Sequence, residues 1–280
     1  MRSVYLKGPT LIWSIEKITT EVSSELKAKA QLGLTRLMAR TDIGFLEIPQ
    51  RMQLWSAAFH RAQSLRIDCD RLVVLGVGGS SLGGRSLIES LFHSDQTHFV
   101  EFLDNVDGDR FAKWLRCQSK LDRTHWVIVS KSGNTIETLT LANAVHQHLL
   151  HESGWGLQTC ATVISEVREN PLTDWARQNG VPILEIPKDV GGRYSVLTAV
   201  GLLPAAFVGA DLEKMRQGAL WALAQRELVE TLIAQALASF SRNEWVTLFW
   251  SYADGLRIFG HWMVQLWSES LAKRVDRSGG

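Results

Sequence analysis

Six consecutive residues, Ser130-Lys131-Ser132-Gly133-Asn134-Thr135, put three hydroxyls, an ammonium group and a glycine side by side. They lie between an apolar, β-branched-rich run at 126–129 (WVIV) and residues 136–150, where apolar and polar residues alternate at helical spacing. A strand that feeds a small-residue loop and then a helix leaves free backbone N–H groups and the positive end of the helix dipole at one spot. Such a spot suits an anion such as phosphate. The dipole contributes only about 0.3–1 kcal/mol when exposed, so the hydroxyls and Lys131 must add charge-assisted hydrogen bonds. The competing reading is an ordinary helix after a buried strand, with Ser and Thr acting as caps. Residue types alone do not separate the two.

Three further stretches carry reactive residue types. Residues 76–84 (GVGGSSLGG) fail as a dinucleotide fingerprint, because Ser81 stands where the third glycine belongs. Residues 79–86 have Walker A spacing, but Arg85 replaces the phosphate-reaching lysine. What remains is a glycine turn with Ser80 at a helix start, built either for close approach of a sugar or phosphate or simply for a tight turn. Residues 188–195 (KDVGGRYS) set Arg193 directly after paired glycines. A guanidinium there stabilises negative charge developing on oxygen if it points into a crevice, and merely caps a turn if it does not. On a helix over 256–273, His261, Gln265 and Glu269 recur at i, i+4 and i+8 and share a face. That face is either the solvated side of an amphipathic helix, or it carries Glu269 as a general base flanked by Leu266 and Trp267.

The elements needed to hold these stretches follow from hydrophobic periodicity. Helices are expected at 12–40 and 50–65, then strands at 72–77, 98–103, 126–129, 160–165 and 181–186. Helices at 80–92, 109–117, 136–150 and 172–178 separate the strands. Alternation of this kind makes a parallel, doubly wound β-sheet flanked by helices, an α/β fold whose ligands gather at the carboxyl ends of strands where the strand order reverses. Two serine/glycine loops on neighbouring strands would converge there. A helix is expected at 193–207, one long helix at 211–242, a strand at 245–251 and a helix from 254 to 273. The segments so defined are an N-terminal helical extension (1–65), a first domain (66–242) and the opening strand and helix of a second (243–280).

Thirty basic against 29 acidic residues leave a net charge of +1, which gives no electrostatic case for nucleic acid or a membrane surface. Cys69, Cys117 and Cys160 form no CxxC pair and read as reduced, cytoplasmic thiols. No apolar run reaches the ~20 residues of a membrane span, and the first ten residues lack the apolar core of a signal peptide. Most of the 11 tryptophans sit inside apolar periodic segments, as core or interface anchors do.

Taken in order, GVGGSSLGG (76–84), SKSGNTIET (130–138), DVGGRYSVLTAVGL (189–202) and QLWSESLAK (265–273) resemble the glucose-6-phosphate isomerase family of the SIS fold. The first two loops occur widely among SIS proteins; the third loop and the helix are specific to the isomerases. The resemblance implies that Ser80, Ser130, Lys131, Ser132 and Thr135 hold a sugar phosphate and that Gly79 lets the backbone approach the sugar. It gives Arg193 the task of stabilising an enediolate with Gln265 beside it, Glu269 that of moving a proton between C1 and C2, and Glu137 a supporting role. It further implies interconversion of glucose 6-phosphate and fructose 6-phosphate in glycolysis and gluconeogenesis. No metal or other cofactor is expected, and the full-length form is expected to be a cytoplasmic homodimer.

Family members continue well beyond this length, so the chain is expected to be C-terminally truncated. The absent portion carries a ring-opening histidine and an assisting lysine. None of the eight histidines stands in the family's Asp-Gln-His context, and Ala272 replaces the usual glycine. Acid–base assistance is worth ~10²–10⁴ in rate, so activity on ring-closed sugar is expected to be impaired. A non-catalytic sugar-phosphate-binding SIS module is the alternative, and a dimerisation surface from residue 245 onward is a third.

Overall fold

The computed structural model describes residues 22–91, 98–117 and 121–271, together with the backbone of 4–7 and 12–15. Strands β1 (Val4–Lys7) and β2 (Ile12–Ile15) pair antiparallel. Helices α1 (Ser24–Met38) and α2 (Met52–Asp68) follow. Five parallel strands come next: β3 (Arg71–Leu75), β4 (Phe99–Leu103), β5 (Thr124–Val129), β6 (Ala161–Ser165) and β7 (Ile183–Glu185). Between them run α3 (Leu82–Leu91), α4 (Gly108–Arg116), α5 (Ile136–Ser153) and α6 (Pro171–Gln178). Helices α7 (Ala199–Phe207), α8 (Leu212–Ala224), α9 (Arg226–Ser241) and α10 (Arg257–Leu271) follow.

The sheet order is β4-β3-β5-β6-β7. From β3 the chain steps outward to β4 and then returns to the other side of β3 as β5, so the strand order reverses between β3 and β5. Loops leaving the carboxyl ends of those two strands part to opposite faces and open a crevice. The interior strands β3, β5 and β6 are almost wholly buried, as continuous apolar runs in a parallel sheet must be. Alternate side chains feed two cores. Leu72, Val74, Val127, Val129 and Ile164 meet α2 and α7, while Val73, Leu75, Trp126, Ile128 and Val163 meet α4, α5 and α6. Helix α3 lies on the α7 side, where a side chain at Gly84 would press on the Val200 carbonyl at 3.1 Å.

Contacts divide the chain into two compact units that differ from the segments drawn along the sequence: residues 1–41 with 220–248, and residues 42–219 with 249–280. The second unit holds the whole parallel sheet, and α2 packs into its core. In the first, α1 packs on α9, burying Ala30, Leu34, Ala234 and Ala238.

Several expected elements take another form. The helix expected over 12–40 has strand β2 at its start, and its helical part is α1. The helix expected over 193–207 divides into a 3-10 turn (Gly192–Leu197) and α7, because Thr198 is extended and caps α7. The long helix over 211–242 breaks at Gln225 (φ −82°, ψ 53°), with neither Gly nor Pro to mark the break. The strand expected at 245–251 does not form. Trp245, Val246, Leu248 and Trp250 are exposed, and no described strand pairs with their backbone. The Ala272–Lys273 end of the last motif lies outside the described residues.

Candidate active site

The carboxyl ends of β3, β5 and β6, the turn after β7 and the face of α10 close around a cleft of about 450 Å³ within the second unit. Gly79, Ser80, Lys131, Ser132, Thr135, Arg193, Gln265 and Glu269 all line it, together with Val77, Glu166, Arg168 and Gly192. Residues as distant in sequence as Gly79 and Glu269 are thus gathered by the strand-order reversal and by α10 packing on α3.

In the loop after β5, Gly133 adopts φ +71°, and an added Cβ would overlap the Asn170 carboxamide. Its N–H donates to the Ser130 carbonyl and hydroxyl, each at 3.1 Å, and its carbonyl accepts from Leu172 N. Ser130 is buried and bonds the Thr135 hydroxyl at 2.9 Å. It shapes the loop from beneath and does not line the cleft. Thr135 is the N-cap of α5, yet no side chain caps that helix. Five others, α1, α4, α6, α7 and α8, start on Ser23, Asp107, Asn170, Thr198 and Asp211 side-chain caps. The simple-cap reading of this serine-rich loop therefore fails. Its hydroxyls bond one another, and the first N–H groups of α5 are left for another acceptor.

The loop after β3 is pressed against the arginine loop. A Cβ on Gly79 would sit 2.6 Å from the Gly192 carbonyl and 2.9 Å from Arg193 N, so this glycine is required by the neighbouring backbone. Ser195 Oγ donates toward the Gly192 and Gly79 carbonyls at 2.7 and 3.2 Å. Among the described residues the Ser80 hydroxyl has no protein partner, while Lys131 Nζ donates to the Lys188 carbonyl at 3.1 Å. Farther along, Arg51 grips Asp189 through both terminal guanidinium nitrogens and holds its carboxyl below the usual range, chiefly by hydrogen bonding.

Arg193 is fixed from three sides. Its Nε donates to Ser270 Oγ at 3.0 Å, its Nη1 lies 3.6 Å from Glu269 Oε2, and its guanidinium stands 4.6 Å above the Tyr194 ring. The Tyr194 hydroxyl shares Ser270 Oγ at 2.8 Å, and Phe45 stacks on that ring at 4.5 Å. Gln265 Nε2 donates to Glu269 Oε1 at 2.8 Å, and Gln265 Oε1 is buried without a partner. Glu269 remains 47% exposed. It is aimed by Gln265 and Arg193, and Leu266 and Trp267 do not enclose it. His261, on the same helical face, is exposed and outside the cleft, and Glu137 does not line it either.

Sequence reasoning missed Ser270 and Tyr194, each adjacent to a chosen residue, and also Glu166 and Arg168. The rule that ligands gather at strand carboxyl ends points to the β6 loop as much as to the other two. Among the described residues no three His, Cys, Asp or Glu side chains gather as metal ligands would, and no helix is long and apolar enough to cross a membrane.

A cleft with an uncapped helix start and a cluster of hydroxyls at one end, and a clamped cation–carboxylate pair at the other, is equipped to hold an anionic substrate and move its protons. The family model for phosphoglucose isomerase matches residues 60–280. The glucose-6-phosphate isomerase of one Thermus thermophilus strain is 34% identical, over 85% of this chain and 57% of that one. Its counterpart in Carboxydothermus hydrogenoformans is 30% identical, over 94% and 58%. The chain thus spans less than two thirds of either relative. A crystal structure of a hypothetical protein from Thermus thermophilus superposes with a TM-score of 0.80 at 30% identity, covering 91% of this chain and 62% of that one. A glucose-6-phosphate isomerase from Chlamydia trachomatis shares the fold, with a TM-score of 0.68 at 23% identity over 81% and 45%. The matched region runs through the serine loops, the arginine loop and α10, and the chain belongs to the phosphoglucose isomerase family.

Proposed function

We propose that the cleft binds a hexose 6-phosphate and that its residues carry the aldose–ketose isomerisation of glucose 6-phosphate and fructose 6-phosphate, a step of glycolysis and gluconeogenesis. The observation that carries this reading is the uncapped start of α5 facing the same cleft as Arg193 and Glu269. The phosphate lies on the N–H groups of α5 with Ser80, Lys131, Ser132 and Thr135 around it, and Ser130 braces the loop. The open-chain sugar then extends toward α10. Glu269 takes the proton from C2 and returns it to C1. Arg193 stabilises the negative charge that builds on the enediolate oxygens, which is the step where a preorganised cation contributes most. Gln265, with one carboxamide atom on Glu269 and the other unpartnered, orients the base and receives a sugar hydroxyl. Glu137 supports ring opening from outside the cleft.

Along the chain, residues 66–242 constitute the first SIS domain, behind the extension at 1–65, and 243–280 begin a second. The full-length form works in the cytoplasm as a homodimer and binds neither nucleic acid nor membrane.

Isothermal titration with fructose 6-phosphate tests the binding half; a folded sample that takes up no sugar phosphate sinks it. Exchange at C2 of glucose 6-phosphate in deuterated water tests the chemistry. Glu269→Gln is expected to abolish exchange while binding persists, and exchange that survives removes Glu269 as the base. Binding with no exchange in the unaltered protein would instead favour the non-catalytic module.

A further inference from the structure

We propose that Arg168 and Glu166 form an exchangeable charge pair that sets how tightly the cleft holds a phosphate monoester dianion: Arg168 leaves Glu166 for the phosphate when ligand enters. This rests on the sugar-phosphate reading of the cleft and adds to it two residues that no motif marks.

Both residues leave the carboxyl end of β6 and line the cleft with Lys131, Ser132 and Thr135. Their backbone is pinned. Glu166 N donates to the Lys131 carbonyl at 3.2 Å, and the Arg168 carbonyl accepts from Thr173 Oγ1 at 2.6 Å and from Asn170 Nδ2 at 3.1 Å. Thr173 and Asn170 are themselves buried. The Arg168 side chain is the opposite, 55% exposed and tethered, among the described residues, only by Nε at 3.7 Å from Glu166 Oε1. That separation is too long for a hydrogen bond, and a pair whose cation stands mostly in water contributes little. The guanidinium is therefore an arm with a fixed pivot and a loose end.

Glu166 is the anchored member, its side chain only 15% exposed beside the loop that presents Lys131. A fixed carboxylate there opposes an incoming dianion. In the empty cleft Arg168 offsets that charge; with phosphate present it gains more by a forked contact to the phosphate oxygens, which are closer to a guanidinium's bidentate geometry. The hydroxyl–lysine loop supplies the grip, and the Glu166–Arg168 pair sets its strength and the ease of release.

The two members therefore act with opposite sign, which a purely structural ion pair would not. Titrations at low salt with fructose 6-phosphate and with inorganic phosphate would compare the wild type, Arg168→Ala, Arg168→Lys and Glu166→Gln, each first checked for a native melting transition. Removing the guanidinium is expected to weaken both ligands about tenfold, with Arg168→Lys intermediate. Glu166→Gln is expected to tighten both by about three- to tenfold, and both effects should shrink at roughly 0.5 M salt as the charges are screened. Unchanged affinity in Arg168→Ala, or weakening in Glu166→Gln, overturns the proposal while leaving the sugar-phosphate reading intact. A wild type that binds neither ligand overturns that reading and this one with it.

Discussion

Ser270 shows how much of this site is carried by a residue that does not line the cleft. Its hydroxyl receives Arg193 Nε and meets the Tyr194 hydroxyl, so the orientation of the cleft's fixed cation depends on one small oxygen. Ser270→Ala removes the acceptor from a charged donor that is 26% exposed. The expected result is a fall of about tenfold in C2 exchange with glucose 6-phosphate, the low end of what a hydrogen bond to a charged group contributes. Phosphate binding should be unaffected, because the loop after β5 does not contact Ser270. A variant that loses both to the same degree would show that the hydroxyl only stabilises the fold. Arg193 and Glu269 stood out in the sequence because paired glycines and a carboxylate in an apolar helix are visible locally. Ser270 did not, since a serine on a helix resembles any solvated position until its partner arrives from 77 residues away.

At the scale of elements, the two glycines at the junction of the loops behave differently. Gly79→Ala drives a Cβ into the Gly192–Arg193 peptide, backbone against backbone, where no side chain can swing aside. Overpacking of this kind costs about 1–3 kcal/mol, to be read from the denaturant midpoint, and it should shift Arg193 and weaken C2 exchange as well. At Gly192 nothing lies within 4 Å of an added Cβ, so Gly192→Ala should change stability by less than about 0.5 kcal/mol. Equal losses in the two variants would contradict the close approach. The strands and the serine loops were legible because strand, loop and helix punctuate the chain locally. Glu166 and Arg168 were not: the β6 loop has no glycine or hydroxyl cluster, and it reaches the cleft only through the sheet order. The run at 245–251 failed for the complementary reason. Alternation records what a strand would bury, but a strand also needs a neighbour. The break at Gln225 left no trace, since no Gly or Pro produces it.

For the molecule as a whole, the most sensitive titrating group lies far from the cleft in role. Arg61 Nε donates to Thr162 Oγ1 at 2.9 Å, and Thr162 Oγ1 lies 2.8 Å from His125 Nε2, which makes that ring nitrogen the terminal acceptor of a short chain of hydrogen bonds. Burial, with the Arg61 charge adding to it, pushes the His125 pKa down to about 3 from an ordinary value of 6.5. Below pH 6.5 the unfolded chain therefore binds a proton that the folded one refuses. The stability present above pH 6.5 declines as pH falls toward 3, by up to about 1.4 kcal/mol per pH unit. His125→Gln keeps an acceptor but cannot titrate, so its denaturation free energy should fall less steeply between about pH 6.5 and 4.5 than that of the parent. Parallel slopes would show that His125 ionises freely.

Trp126 is fully enclosed, whereas Trp245 and Trp250 are 67% and 72% exposed on the run that forms no strand. Indoles bathed in water emit at longer wavelength than buried ones, so the chain carries its own optical reporter at these two positions. Whatever comes to cover them, a second copy or another polypeptide, would announce itself as a blue shift and as protection from dissolved quenchers, with no label attached.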